Sequence, residues 1–221
     1  RVELLKYNIS DENIIIKLAV PSPVGTESND YSKSSLQKIL NNYYYNGLTY
    51  TGASTYDFTS IGFKNDTTRN MITEITYNLG GYNYSSIYSN QIYSYERGKT
   101  VYSGNATTWT GKIAVAYPSD YGYAADLSLC QKQLGSYNDA TCTANNWMKN
   151  IVTNNGVNAG WLLTPHSGYA YIAWDVEPLG NVFNRNASSA AVVVPVLYLN
   201  SELGIGSGTG TSTDPYKLII D

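Results

Sequence analysis

The chain has 221 residues, enough for one sizeable core, and nothing in its composition marks a hinge, so residues 1–221 are read as a single domain. Only 14% of the residues are charged and the formal net charge is -3, which excludes the clustered Lys and Arg that nucleic acid or anionic lipid would require. Tyr alone contributes 22 residues, and with abundant Asn, Ser, Thr and Gly it implies a surface that is polar but mostly uncharged.

Residues 14–20 are apolar and largely β-branched, and Pro21 and Pro23 stop the run, a pattern that predicts a buried strand. Over 34–45, Leu36, Ile39, Leu40 and Tyr43 fall at helical spacing, with Asp30 or Ser32 available as cap and Gly47 as stop. A second helix is predicted over 66–79, where Asp66 caps, Met71, Ile72, Ile75 and Leu79 form one stripe, and Gly80 and Gly81 terminate. Between 82 and 102, Tyr and Ile alternate with Ser and Asn, which suits strands or an ordered loop better than a helix. Residues 113–117 read as a short strand, and Pro118 as the entry to a helix leading into 123–134. A further helical turn is expected at 145–151.

Cys130 and Cys142 sit in a polar, turn-rich segment of a length that a disulfide closes without strain, and a bridge is expected between them. Closing such a loop stabilises a fold by about 3 kcal/mol in the chain-entropy model and presupposes an oxidising compartment; two reduced cysteines are the alternative. Neither has a nearby His, and no metal-ligand spacing is present. After Gly156 the chain turns to short strands, predicted at 160–163, 169–176, 182–184 and 191–199. The Gly/Ser/Thr-rich stretch 204–213 reads as a turn before a closing strand at 218–220, since no Lys follows at the spacing of a phosphate-binding loop. These elements predict an α+β domain, two helices packed on a small antiparallel sheet with long irregular loops.

No apolar run approaches the ~20 residues that span a bilayer, and no signal peptide opens the chain. Arg1 is not a natural start, so the sequence is expected to be a mature or truncated fragment that has lost its N-terminal anchor. Sequons begin at Asn8, Asn65, Asn83, Asn105 and Asn186, as chance produces in so Asn-rich a chain, and no glycosylation is attached to them.

Three stretches then stand out together. They are residues 109–124, WTGKIAVAYPSDYGYA; Gly160-Trp-Leu-Leu-Thr-Pro165 with Trp174-Asp-Val176 and Gly180-Asn-Val182; and Val194-Pro-Val-Leu-Tyr-Leu199. This half of the chain resembles surface proteins of Gram-positive bacteria with a C-type-lectin-like fold, a group related to formylglycine-generating-enzyme-like domains and to the variable proteins of diversity-generating retroelements. The tail 208–216 resembles the ending of such proteins. Val192 and Val194 stand where the group has Gly and Arg ahead of the proline, so either the core is repacked with apolar residues or the correspondence is displaced by one residue. The resemblance implies an N-terminal prepilin-type or other anchor. It also implies a ligand-binding surface made of His166, Ser167, Tyr169, Tyr171, Trp174, Glu177, Asn181, Asn184, Arg185 and Asn186.

The chemistry of those residues suits recognition, with aromatic faces supplying area and Asn, Glu and Arg supplying directional hydrogen bonds. Strand alternation places Tyr169, Tyr171 and Ala173 on one face and Ala170, Ile172 and Trp174 on the other; the second set is expected to be buried, as is Trp161. The single histidine, His166, is expected as a solvent-exposed loop residue rather than a general base. Asp175 and Glu177 form a carboxylate pair of the glycosidase type only if their strand runs that far, and Pro178 is expected to end it. No cysteine follows Cys142, which removes the reactive pair of formylglycine-generating enzymes, and Glu177-Pro178-Leu179 only approximates the calcium cluster of lectins. The expectation is therefore an extracellular, cell-surface-anchored ligand-binding or adhesion domain that uses no cofactor or metal. Its partner is an unknown protein or glycan rather than nucleic acid, and this fragment does not insert into a membrane. A hypermutated segment at 166–189 is the sharper form of the idea. The rivals are a pilin-like structural subunit that self-assembles and an enzyme of formylglycine-generating-enzyme-like fold.

Overall fold

The computed structural model describes residues 15–17, 28–63, 65–209, 214 and 217–220, in which helices and strands mix without βαβ alternation, as an α+β protein. Strand β1 is Ile15–Lys17; the rest of the strand predicted at 14–20 lies outside the described residues. Asp30 caps a 3-10 turn at Tyr31–Lys33 by accepting from the Ser32 amide, and Ser34, not Ser32, caps helix α1, Ser35–Lys38, by accepting from the Gln37 amide at 3.1 Å. The helix then widens into a π turn at Ile39–Tyr44, with Tyr45 N–H bonded to Leu40 C=O at 2.9 Å. That widening rotates the register, so Tyr44 rather than Tyr43 completes the buried stripe of Leu36, Ile39 and Leu40.

A hairpin of β2, Thr49–Thr51, and β3, Thr55–Asp57, follows. The helix predicted over 66–79 is not there. Asn65 caps a single short helix, α2, Asp66–Asn70, and the chain then extends into β4, Ile72–Thr73, and β5, Ile75–Asn78. The apolar residues had helical spacing, but Ile72, Thr73, Ile75 and Thr76 are β-branched, and strand partners late in the chain decide the outcome. The opposite correction applies to 82–102, which contains the longest α-helix among the described residues, α3, Ser89–Glu96. Gln91 reaches back to accept from the Tyr88 amide at 3.0 Å, and the buried positions Ser89, Ile92 and Glu96 share one face.

Strands β6, Thr108–Gly111, and β7, Ile113–Val115, lead into α4, Pro118–Tyr123, which starts at Pro118 as predicted but ends where the predicted 123–134 helix was to begin. The Glu96 carboxylate holds the start of α4, accepting from the Ser119 amide at 2.8 Å and the Ser119 hydroxyl at 2.5 Å. Helix α5, Ala140–Ala144, carries Cys142, which is bonded to Cys130 with the Cα atoms 4.7 Å apart and both residues buried. Helix α6 is Lys149–Val152.

The remaining strands are β8, Gly160–Pro165; β9, Ile172–Val176; β10, Val182–Asn186; β11, Ala190–Val192; β12, Pro195–Leu199; and the terminal hairpin of β13, Leu203–Ser207, with β14, Lys217–Ile220. The strand predicted at 191–199 is two strands in different sheets. Pro195 lacks a ladder N–H and restricts Val194, and the chain crosses over at that point.

The main sheet has the order β1-β11-β8-β9-β10, antiparallel except where β11 meets β8. A three-stranded sheet, β4-β12-β7, and the β5–β6 pair lie apart from it. Every residue of β8 is buried, because the main sheet has a core on each face. Trp161, Leu163 and Ala173 enter one, with Leu36, Leu40 and Tyr77. Leu162, Trp174, Val176 and Val182 enter the other, with Ile92, Tyr121 and the disulfide. Val192 is buried and Val194 packs on the second core.

Candidate recognition surface

Strands β8 and β9 are joined by a loop at 166–171, and the loop is fastened from far away in sequence. The buried side chain of Asn29 donates through Nδ2 to the carbonyls of His166 at 2.9 Å, Tyr169 at 3.0 Å and Ile172 at 2.5 Å, and its Oδ1 accepts from Asn105 Nδ2 at 2.7 Å. Its own amide donates to Ala170 C=O. Asn29 alone thus satisfies the carbonyls of His166, Tyr169 and Ala170 within the loop.

Beneath the loop lies a column of rings. Tyr82 stacks on Trp174 with centroids 4.2 Å apart and planes 6° from parallel, and His166 stacks over Trp174 at 5.5 Å and 20°. Tyr169 leans on His166 at 5.1 Å, and Tyr171 lies 5.8 Å from Tyr169. The series of ring contacts continues from Tyr82 to Tyr84, which meets it edge-on at 6.4 Å. Tyr169 and Tyr171 are exposed by 51% and 46%, so each presents a face to solvent while the rings below are sealed.

His166, expected as a solvent-exposed loop residue, is only 4% exposed. Trp174 is fully buried, as the strand alternation predicts, so neither ring offers the contact surface that the resemblance implied; they support the ones that do. The physical reason for His166 is that its backbone continues from the interior strand β8, donating to Ile172 C=O and bridging Tyr82, while Nδ1 accepts from the Gly168 amide at 3.0 Å. Burial holds its pKa below the ordinary histidine value, opposed by a hydrogen bond at the Asn83 backbone. Trp161 is buried as expected, but the alternation along β9 does not separate a wet face from a dry one: Ala173 is as buried as Trp174, and Ile172 is half-buried.

On β9 and β10, Arg185 Nε donates to Asp175 Oδ2 and its Nη2 donates to Glu177 Oε1 at 2.8 Å. Asp175 is fully buried and Glu177 half-buried. Strand β9 ends at Val176, and Arg185 draws both carboxylates together from the neighbouring strand. Burial pushes the Asp175 pKa up to about 7, opposed by Arg185, and its Oδ1 has no hydrogen-bond partner among the described residues. Ser167, Asn181 and Asn184 are half-buried and Asn186 is exposed, with its Oδ1 accepting from the Ser188 amide and hydroxyl. Among the described residues no group of three or more His, Cys, Asp or Glu side chains is placed to hold a metal ion, and no helix is long and apolar enough to cross a membrane.

Sequence reasoning missed Asn29, Asn105, Tyr82 and the exposed Phe183 beside this surface. Asn29 lies 137 positions from His166, and no local pattern announces a contact of that range. A separate groove of about 220 Å³ lies between α3 and the disulfide loop, lined by Tyr88, Leu127, Gln131 and Lys132 among others. None of the residues expected at the ligand surface lines it. Comparison with protein-family models, with curated proteins and with solved structures finds no match to this chain.

Proposed function

We propose that this chain is an extracellular ligand-binding or adhesion domain of C-type-lectin-like fold, whose contacts are made by the exposed side chains of 166–189. The observation that carries the reading is the fastening of the 166–171 loop by Asn29, which holds Tyr169 and Tyr171 outward on a buried ring column. Aromatic side chains already fixed in their bound geometry lose little conformational freedom on binding, which is how a small surface gains affinity. Ser167 in the loop and Asn184, Arg185 and Asn186 on β10 add donors and acceptors, with Glu177 and Asn181 toward the far end of the β9–β10 pair. The Cys130–Cys142 disulfide supports an oxidising, extracellular setting.

Binding is favoured over turnover because the ionisable groups of this region are engaged in holding the structure. Asp175 and Glu177 are both bound by Arg185, and His166 Nδ1 is already occupied by the Gly168 amide. The test is a glycan and protein array probed with wild type and with a Tyr169→Ala, Tyr171→Ala, Asn184→Ala variant. Signals present for wild type and lost for the variant, at an unchanged unfolding midpoint, are expected. Equal binding by both proteins rejects the surface.

A further inference from the structure

At the far end of the ring column, Tyr84 and Tyr95 meet. The Tyr84 hydroxyl donates to the Tyr95 hydroxyl at 2.7 Å, the ring planes cross at 86° with centroids 6.1 Å apart, and both residues are exposed, by 43% and 39%. Tyr84 belongs to the segment that carries Tyr82 onto Trp174, whereas Tyr95 lies on the last turn of α3. The pair therefore joins two separate pieces of backbone at the surface of a disulfide-bonded protein.

We propose that Tyr84 and Tyr95 are a site of oxidative cross-linking, at which peroxide acting through a haem peroxidase joins the two side chains as a dityrosine. Each phenol gives up one electron and one proton, and the resulting radical has its unpaired density on the oxygen and on the ring carbons beside it. The two radicals couple through one such carbon on each ring. Each coupled ring then moves its ortho hydrogen to oxygen through solvent and regains its phenol. In all, two ortho C–H bonds break and one C–C bond forms, and the two electrons and two protons removed reduce one hydrogen peroxide to two waters. Hydroxyls already in contact bring the adjacent ring carbons to the same side, and exposure lets the rings close the remaining gap by side-chain rotation. Contact also makes coupling intramolecular, which raises its rate over collision between molecules.

Other tyrosines set the competing products. Tyr43 and Tyr50 lie with centroids 5.1 Å apart, and Tyr169 and Tyr171 5.8 Å apart, but Tyr43 and Tyr50 are only half-exposed, and of these three pairs the hydroxyls meet in a hydrogen bond at Tyr84 and Tyr95. The experiment treats dilute wild type, Tyr84→Phe and Tyr95→Phe with hydrogen peroxide and a haem peroxidase, then reads dityrosine fluorescence and the mass of the monomer. Loss of one exposed hydroxyl in each variant leaves the fold intact, which equal unfolding midpoints verify. The expected wild-type product is a fluorescent monomer lighter by two hydrogen atoms. Its 70–97 tryptic peptide yields no backbone fragments from cleavage between 84 and 95, and both variants lack it. A cross-link mapped to another pair, persistence of the product in either variant, or cross-linked dimers alone would overturn the proposal.

Discussion

Replacing Asn29 tests whether the 166–171 loop is held by one distant amide. The Nδ2 group has two hydrogens and faces three carbonyls, so its contacts amount to about two full hydrogen bonds, each worth roughly 1 kcal/mol net. In Asn29→Ala the Ile172 carbonyl keeps the His166 amide as a donor, and the Ala170 carbonyl keeps the residue 29 amide. The carbonyls of His166 and Tyr169 lose the donor that Asn29 supplies, and Asn105 loses its acceptor. Adding the cost of stranding buried acceptors gives an expected loss of about 3 kcal/mol in unfolding free energy. Asn29→Asp is the sharper probe. It preserves the shape but turns a second oxygen toward three carbonyl oxygens, and it is expected to destabilise at least as much as Ala. Equilibrium urea unfolding followed by tryptophan emission gives the energies, and amide exchange at His166, Gly168 and Ala187 reports the loop itself. A change within about 0.5 kcal/mol for Asn29→Ala, or a milder effect for Asp than for Ala, would refute the fastening.

Two further outcomes follow from the buried charges. Burial pushes the Glu96 pKa up to about 7 from an ordinary value of 4.5, opposed by the Ser119 hydrogen bonds. The folded protein therefore binds more protons than the unfolded chain between those values, so this group's stabilisation is complete below pH ~4.5 and is lost as pH rises through ~7. Unfolding free energy measured across that window should fall, and Glu96→Gln should flatten the slope; an unchanged slope would exclude Glu96 as its source. Arg185→Ala strands the buried Asp175 carboxylate and is expected to cost about 3 kcal/mol, of which an added Asp175→Asn recovers a large part. Equal stability of the single and double variants would show that the ion pair is not the reason for the loss.

The α+β class and the positions of β8 and β9 were legible because a buried, mostly apolar run bounded by Gly and Pro reads the same whatever its partners. The entry to α4 at Pro118 and the Cys130–Cys142 bridge were legible for similar local reasons. The segment 66–79 misled because its apolar spacing fits a helix while its β-branched residues fit a strand, and the choice rests on Leu199 and on the β6 strand, both far along the chain. Helix α3 was invisible because two of its three buried face residues, Ser89 and Glu96, are polar. The same principle applies to the candidate surface. Exposed tyrosines in a loop and a buried Trp174 were readable, but the burial of His166 depends on Tyr82 and Asn29, which arrive from other parts of the sequence.

The order of strands in the main sheet bears on how the protein is made. Strand β11 lies between β1 and β8, so the first and third quarters of the chain cannot be zipped together in this sheet until residues 190–192 are in place. Until then β8, buried on both faces of the finished sheet, has one unprotected border, and a chain truncated before Ala190 would leave it open to whatever strand is nearest.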